Sequence, residues 1–204
     1  KMDFKKCLPI FSYIFHPIFS SIYGTLFFFV IAKNYFNNPQ IYITLIQVTI
    51  LTVLMPLSMY FLFRSLGLLS SFTEASIAER RMPIAIQAIL LFVLIKYSIS
   101  KEMFTELYYF FLGGLLSTLV VLSAVLLKFK ASLHMIGISA LTAFIYGLSV
   151  YYQLPFTYLI GICIICMGFV ASSRLYKKAH TPIELIAGIF IGMVPQLLLF
   201  KYWL

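Results

Sequence analysis

Seven apolar runs follow one another along this chain with little between them, each close to the roughly 20 residues that cross a bilayer. They cover residues 8–32, 41–63, 84–95, 107–127, 132–150, 156–173 and 182–204. Runs that are apolar all round have no face to turn to water, so they belong in lipid or deep inside a bundle. The third is short, and reaches residue 99 if Lys96 snorkels to the interface. His16-Pro17 interrupts the first run and predicts a bend or an interfacial segment there. Pro56 predicts a kink in the second. Connections this short favour antiparallel neighbours. The expectation is an all-α integral membrane protein, an antiparallel bundle of six to seven transmembrane helices forming a single domain over 1–204. Composition agrees: 62% of residues are hydrophobic and 10% charged, which excludes a soluble domain. The first run lacks a small-residue cleavage site and does not read as a removable signal peptide.

The net charge of +9 does not point to nucleic acid, because the basic residues are spread over short loops between spans. Anionic lipid headgroups and phosphorylated substrates are the partners it implies. With seven spans, the N-terminus, the 64–82 loop and the 128–131 and 174–181 turns share one face, which carries eleven of the fifteen Lys and Arg residues. The positive-inside rule puts that face, and the N-terminus, in the cytoplasm. Cys163 and Cys166 have C-x-x-C spacing inside a run, and Cys7 sits beside another. Without a second ligand pair they read as packing residues, so neither a metal nor a disulfide framework is expected.

Three polar clusters open runs on the basic face: Glu79-Arg80-Arg81-Met82-Pro83, the 128–134 stretch from Lys128 to His134, and the 172–184 stretch. Helix starts carry free N–H groups and a positive dipole end, which favour an anion. The last cluster is the densest, with Arg174, Lys177, Lys178, His180 and Glu184 within eleven positions. Thr181-Pro182 reads as a helix start. That places His180 at the helix entrance and Glu184 one turn in, close enough to orient the imidazole. His134 lies about a turn inside the fifth run, where an ionisable residue is costly and a functional candidate. His16 reads as a structural residue beside a proline bend.

These residues carry a resemblance. Ser173-Arg174-x5-His180-x3-Glu184 resembles the third signature of the type 2 phosphatidic acid phosphatase superfamily, with Glu in place of Asp. Ser132-Leu133-His134 resembles the second signature, with Ala131 and Leu133 in place of Pro and Gly. Arg81-Met82-Pro83 approximates the first, with Glu74 where its lysine stands. The likeness is best over roughly the last 80 residues, implies a core of about 64–204, and extends to the short bacterial membrane members of the superfamily.

The resemblance implies a membrane phosphatase that hydrolyses a phosphomonoester or pyrophosphate of a lipid-linked substrate through a phosphohistidine, with no cofactor and no metal. Transferred by position, His180 is the nucleophile, Glu184 its orienting partner, and His134 the acid and base. Arg174, Arg81, Lys130, Ser132 and Ser173 are the phosphate-binding set. Its substrates are lipid phosphates or polyprenyl pyrophosphates, in the cytoplasmic membrane of a bacterium. The family's sites more often face the extracytoplasmic side, opposite to the charge count. The alternative is a catalytically degenerate relative that binds phospholipid or serves as a structural subunit of a membrane assembly, with homo-oligomers possible in either case.

Overall fold

Apolar backbone without water must satisfy its own hydrogen bonds, and helices do so within one segment. The computed structural model describes residues 4–68 and 77–204; the side chains of residues 4–7 and 78 lie outside that description, as do Glu74, Lys1 and the side chains of Cys7, Lys5 and Lys6. The described residues form α1 (Phe4–Ile14), α2 (Pro17–Ala32), α3 (Asn38–Thr49), α4 (Met55–Ser65), α5 (Ile77–Tyr97), α6 (Thr105–Leu126), α7 (Leu133–Tyr151), α8 (Thr157–Tyr176) and α9 (Pro182–Leu199), and no strand. The fold is all-α.

Among the described residues, six helical segments are long and apolar enough to span a membrane: Pro17–Tyr35, Asn38–Ser65, Thr105–Leu126, Leu133–Tyr151, Thr157–Tyr176 and Pro182–Tyr202. The chain is an integral membrane protein. The third run is the exception. Its helix, α5, has 21 residues and so measures about 31 Å, enough to cross. It carries Glu79, Arg80, Arg81 and Lys96, however, more charged residues than any of the other six.

The first run divides as His16-Pro17 predicts. α1 ends at Ile14, the chain breaks, and α2 restarts at Pro17 with His16 extended as its N-cap. In the second run the kink takes a definite form. Pro56 lacks an N–H, and its ring would strike the Thr52 carbonyl in a regular helix. A π-helical turn over Ile50–Leu54 joins α3 to α4 and widens the ladder at that point.

α7 is the central helix. It is 72% buried, against 39% or less for every other spanning segment. α9 packs along it through Gly188 and Gly192. A Cβ at Gly188 would lie 2.8 Å from the Ser132 carbonyl, and one at Gly192 would collide with the Ile136 carbonyl and the Ser139 hydroxyl. Gly192→Ala is therefore expected to lower stability in detergent by about 1–3 kcal/mol, the usual cost of overpacking. Gly168→Ala, on α8 with open space around it, should be neutral or slightly stabilising. Thermal unfolding of the two variants checks this, and equal midpoints would mean that the α7–α9 contact carries no weight.

The two ends of the bundle differ in chemistry. At one end aromatic rings gather: Phe36 against Phe104 at 5.0 Å, Tyr35 against Tyr152 at 6.3 Å, and Trp203 against Phe200 at 5.4 Å. Tyr152 donates to Glu106 there at 2.8 Å. The starts of α2, α5, α7 and α9 and the end of α8 meet at the other end, around the polar residues described next.

Candidate functional site

The α8–α9 turn is fixed by local hydrogen bonds. Lys178 takes the left-handed conformation, φ 52°, and the Ala179 N–H returns to the Arg174 carbonyl at 3.0 Å. This closure ends α8 in the manner of a helix C-cap, with Lys in the position glycine usually fills. Thr181 then caps α9 reciprocally with Glu184: the Glu184 N–H donates to Thr181 Oγ1 at 3.4 Å, and the Thr181 N–H donates to Glu184 Oε2 at 3.3 Å. The same Oε2 accepts from His180 Nδ1 at 2.7 Å. The capping box thus doubles as the device that orients the imidazole. Because the carboxylate holds Nδ1–H, Nε2 of a neutral His180 carries the lone pair.

Arg174 closes α8 with its side chain 1% exposed, and His180 is 8% exposed. Both line a cavity of about 300 Å³, together with His134, His16, Arg80 and Glu79. Arg174 is within electrostatic reach of all three histidines. The cavity continues between the helices past Phe63, Val121, Phe111, Phe110 and Leu91 as far as Gln196. Gln196 is buried and donates to the Phe110 carbonyl at 3.0 Å. A cationic mouth and an apolar depth therefore belong to one space. Burial, followed by Arg80 and Arg174, drives the His180 pKa from the ordinary 6.5 to about 4, against the pull of Glu184. His16 is likewise pushed down to about 4, by burial first and then by Arg174.

Of the residues expected to hold phosphate, Arg174 alone lies on the cavity. Arg81 is exposed, while its neighbour Arg80 is buried and lines the cavity. Helical phase makes the difference: Arg80 continues the buried stripe Ile84, Ala88, Leu91 and Ile95, and Arg81 falls on the outer face with Met82, Ile89 and Phe92. Lys130 instead donates to the Ala179 carbonyl at 3.0 Å and ties the two turns together. The Ser132 N–H donates to the Glu184 carbonyl at 3.2 Å, which sets the start of α7 against the first turn of α9. Ser173 is buried, with its hydroxyl 2.6 Å from that of Ser12 on α1.

α1 reaches the site as well. The Ser12 carbonyl accepts from His134 Nε2 at 3.1 Å, so in the neutral ring Nδ1 is the unprotonated nitrogen. His16 stands edge-on to His134, ring centroids 5.1 Å apart. The reading of His16 as a structural residue is thus incomplete, since it caps α2 and also lines the cavity. Cys163 and Cys166 are half-buried free thiols on α8, and no metal-ligating cluster occurs among the described residues.

Fold and site together define an all-α integral membrane protein with a histidine- and arginine-lined cavity at one end of its bundle. No protein-family model, curated protein or solved structure matches the chain.

Proposed function

We propose that the protein is a membrane lipid phosphatase that hydrolyses a phosphomonoester or pyrophosphate of a lipid-linked substrate through a phosphohistidine. The observation that carries this reading is the 2.7 Å His180–Glu184 bond beside a cavity that Arg174 and His134 also line. Neutral His180 attacks phosphorus through Nε2. The bond from phosphorus to the leaving oxygen breaks, its electron pair stays on that oxygen, and neutral His134 relays to it, through Nδ1, the proton that the bound phosphate monoanion brings. Water then loses a proton to His134 Nδ1, attacks the phosphohistidine and releases inorganic phosphate, which takes up that proton and leaves both histidines neutral. Arg174 and Arg80 neutralise the phosphoryl oxygens. The apolar depth of the cavity suits the tail of the substrate. On this reading the protein sits in the cytoplasmic membrane of a bacterium, with the basic face and the site inward.

The test is phosphate release by the detergent-purified protein from a panel of lipid monophosphates and diphosphates, without added metal. Vanadate-sensitive release from at least one of them is expected, and no release from any would remove the proposal.

One observation favours a second reading. The Ser132 N–H, the Lys130 ammonium and the Ser173 hydroxyl are all engaged within the protein. A catalytically degenerate relative that binds phospholipid headgroups would tolerate this. It would bind anionic lipid vesicles and release no phosphate.

A further inference from the structure

No described residue of α1 lines the cavity, yet the end of α1 holds His134, 122 residues further on in the chain. Pro17 makes this possible. It disfavours the helical region at the residue before it, and His16 is extended, with φ −64° and ψ 135°. In an unbroken helix the His16 N–H would take the Ser12 carbonyl, four residues back. It turns instead to the Tyr13 carbonyl at 3.3 Å, while the Phe15 N–H keeps that of Phe11 at 3.0 Å. The Ser12 carbonyl is one of those that a helix end leaves over, and His134 Nε2–H donates to it at 3.1 Å. The acceptor is held in place. Ser12 is 2% exposed, its hydroxyl is 2.6 Å from that of Ser173 on α8, and Phe11 stacks on Phe169 at 4.5 Å.

The hydrogen bond made by one ring nitrogen decides which nitrogen of a neutral histidine carries the proton. His180 and His134 are set oppositely. A carboxylate holds Nδ1–H of His180 and leaves Nε2 with the lone pair. A carbonyl holds Nε2–H of His134 and leaves Nδ1 with it. The two partners differ in charge as well as in place. A carboxylate favours the cationic ring, which suits a nitrogen that becomes bonded to phosphorus. A neutral carbonyl lends no such bias, which suits a ring that takes up a proton and gives it back. Loss of the carbonyl would free the His134 proton to settle on Nδ1 and block the relay.

We propose that Ser12 is a positioning residue whose carbonyl, released by the break at Pro17, locks His134 in the tautomer that the proton relay requires. The proposal rests on the phosphatase reading. Nδ1 takes the proton from the bound phosphate monoanion and passes it to the leaving oxygen. It then takes one from water and returns it to the departing phosphate, while Nε2–H stays on Ser12 throughout.

The first readout is the tautomer itself. NMR of the detergent-purified protein labelled with ¹⁵N-histidine, the His134 signals assigned by their loss in His134→Gln, should show the proton on Nε2. A wild-type ring protonated on Nδ1 would overturn the role without reference to activity. The second readout weakens the carbonyl. Replacing Tyr13 by its α-hydroxy acid turns the amide between residues 12 and 13 into an ester, a poorer acceptor. Phosphate release from farnesyl diphosphate or dioleoyl phosphatidate should lose about 3- to 10-fold in kcat, the worth of one neutral hydrogen bond, with KM within about 2-fold. The same exchange at Phe11 costs α1 a comparable backbone donor, leaves the Ser12 carbonyl as it is, and should stay within about 2-fold of wild type in both. In a His134→Ala background the Tyr13 ester should cost nothing further, because Ser12 acts only through the imidazole. A loss that persists there would make Ser12 structural and sink the role. If wild type turns over and the ester is silent, the role falls and the phosphatase stands. If wild type releases no phosphate from either lipid while Nε2–H is observed, the phosphatase reading falls and takes the role with it.

Discussion

Replacing His180 by alanine is expected to abolish phosphate release, by about 10⁴-fold or more, because the group that forms the covalent intermediate in the proposed mechanism is gone. The fold should survive. His180 precedes the Thr181 cap, and the backbone bonds of the turn run through Lys178, Ala179 and Thr181 rather than through the imidazole. Glu184→Gln keeps the size and a hydrogen-bond acceptor but removes the charge that holds Nδ1–H, and should cost less. The pH profile adds a second constraint. With the His180 pKa lowered to about 4, the nucleophile is neutral at pH 7 and stays so as the medium is acidified through 6.5, where an ordinary histidine protonates. The acid limb of wild-type kcat/KM that belongs to His180 should therefore fall near pH 4. Mass analysis after acid-free quenching should find phosphate on wild type and none on the variant. A variant that turns over at the wild-type rate would refute the nucleophile assignment.

The fold was legible because membrane spans announce themselves. Six of the seven runs are spanning segments, and His16-Pro17 and Pro56 marked real breaks in the helical ladder. The His180–Glu184 contact was legible too, since a Thr-Pro helix start fixes both residues on one turn. Helical phase was not. α5 is apolar nearly all round, so nothing in its sequence says which of two adjacent arginines turns inward, and the choice of Arg81 over Arg80 followed signature spacing rather than packing. Nor could spacing show which donors are committed to backbone. Lys130 looked available until the 128–131 and 177–181 turns came together. His16 could have been found. Four spans separate residue 16 from residue 134, an even number that already put both on the same face, and only three histidines occur in the chain. What was missing was the lateral placement of α2 beside α7, which packing alone decides.

Arg174 offers the sharpest separation of function from stability. A guanidinium 1% exposed carries a large desolvation cost, and the histidines around it do not repay that cost, since its charge opposes theirs. On the proposed reading its charge serves the phosphoryl oxygens of the substrate. Arg174→Met, close in length and apolar, is expected to reduce kcat/KM for phosphate release by about 10²–10³-fold, the usual worth of one donor to a developing oxyanion. Its thermal midpoint should be equal to that of wild type or higher, because replacing buried charge by hydrocarbon is often neutral or stabilising. Glu79 shares the cavity, so the double variant Arg174→Met, Glu79→Gln shows whether a carboxylate left behind offsets the gain. Arg174→Lys keeps the charge but loses the planar fork, and should recover only part of the rate. A midpoint that collapses in both the single and the double variant would make Arg174 a structural residue, and the cavity would lose its phosphate ligand.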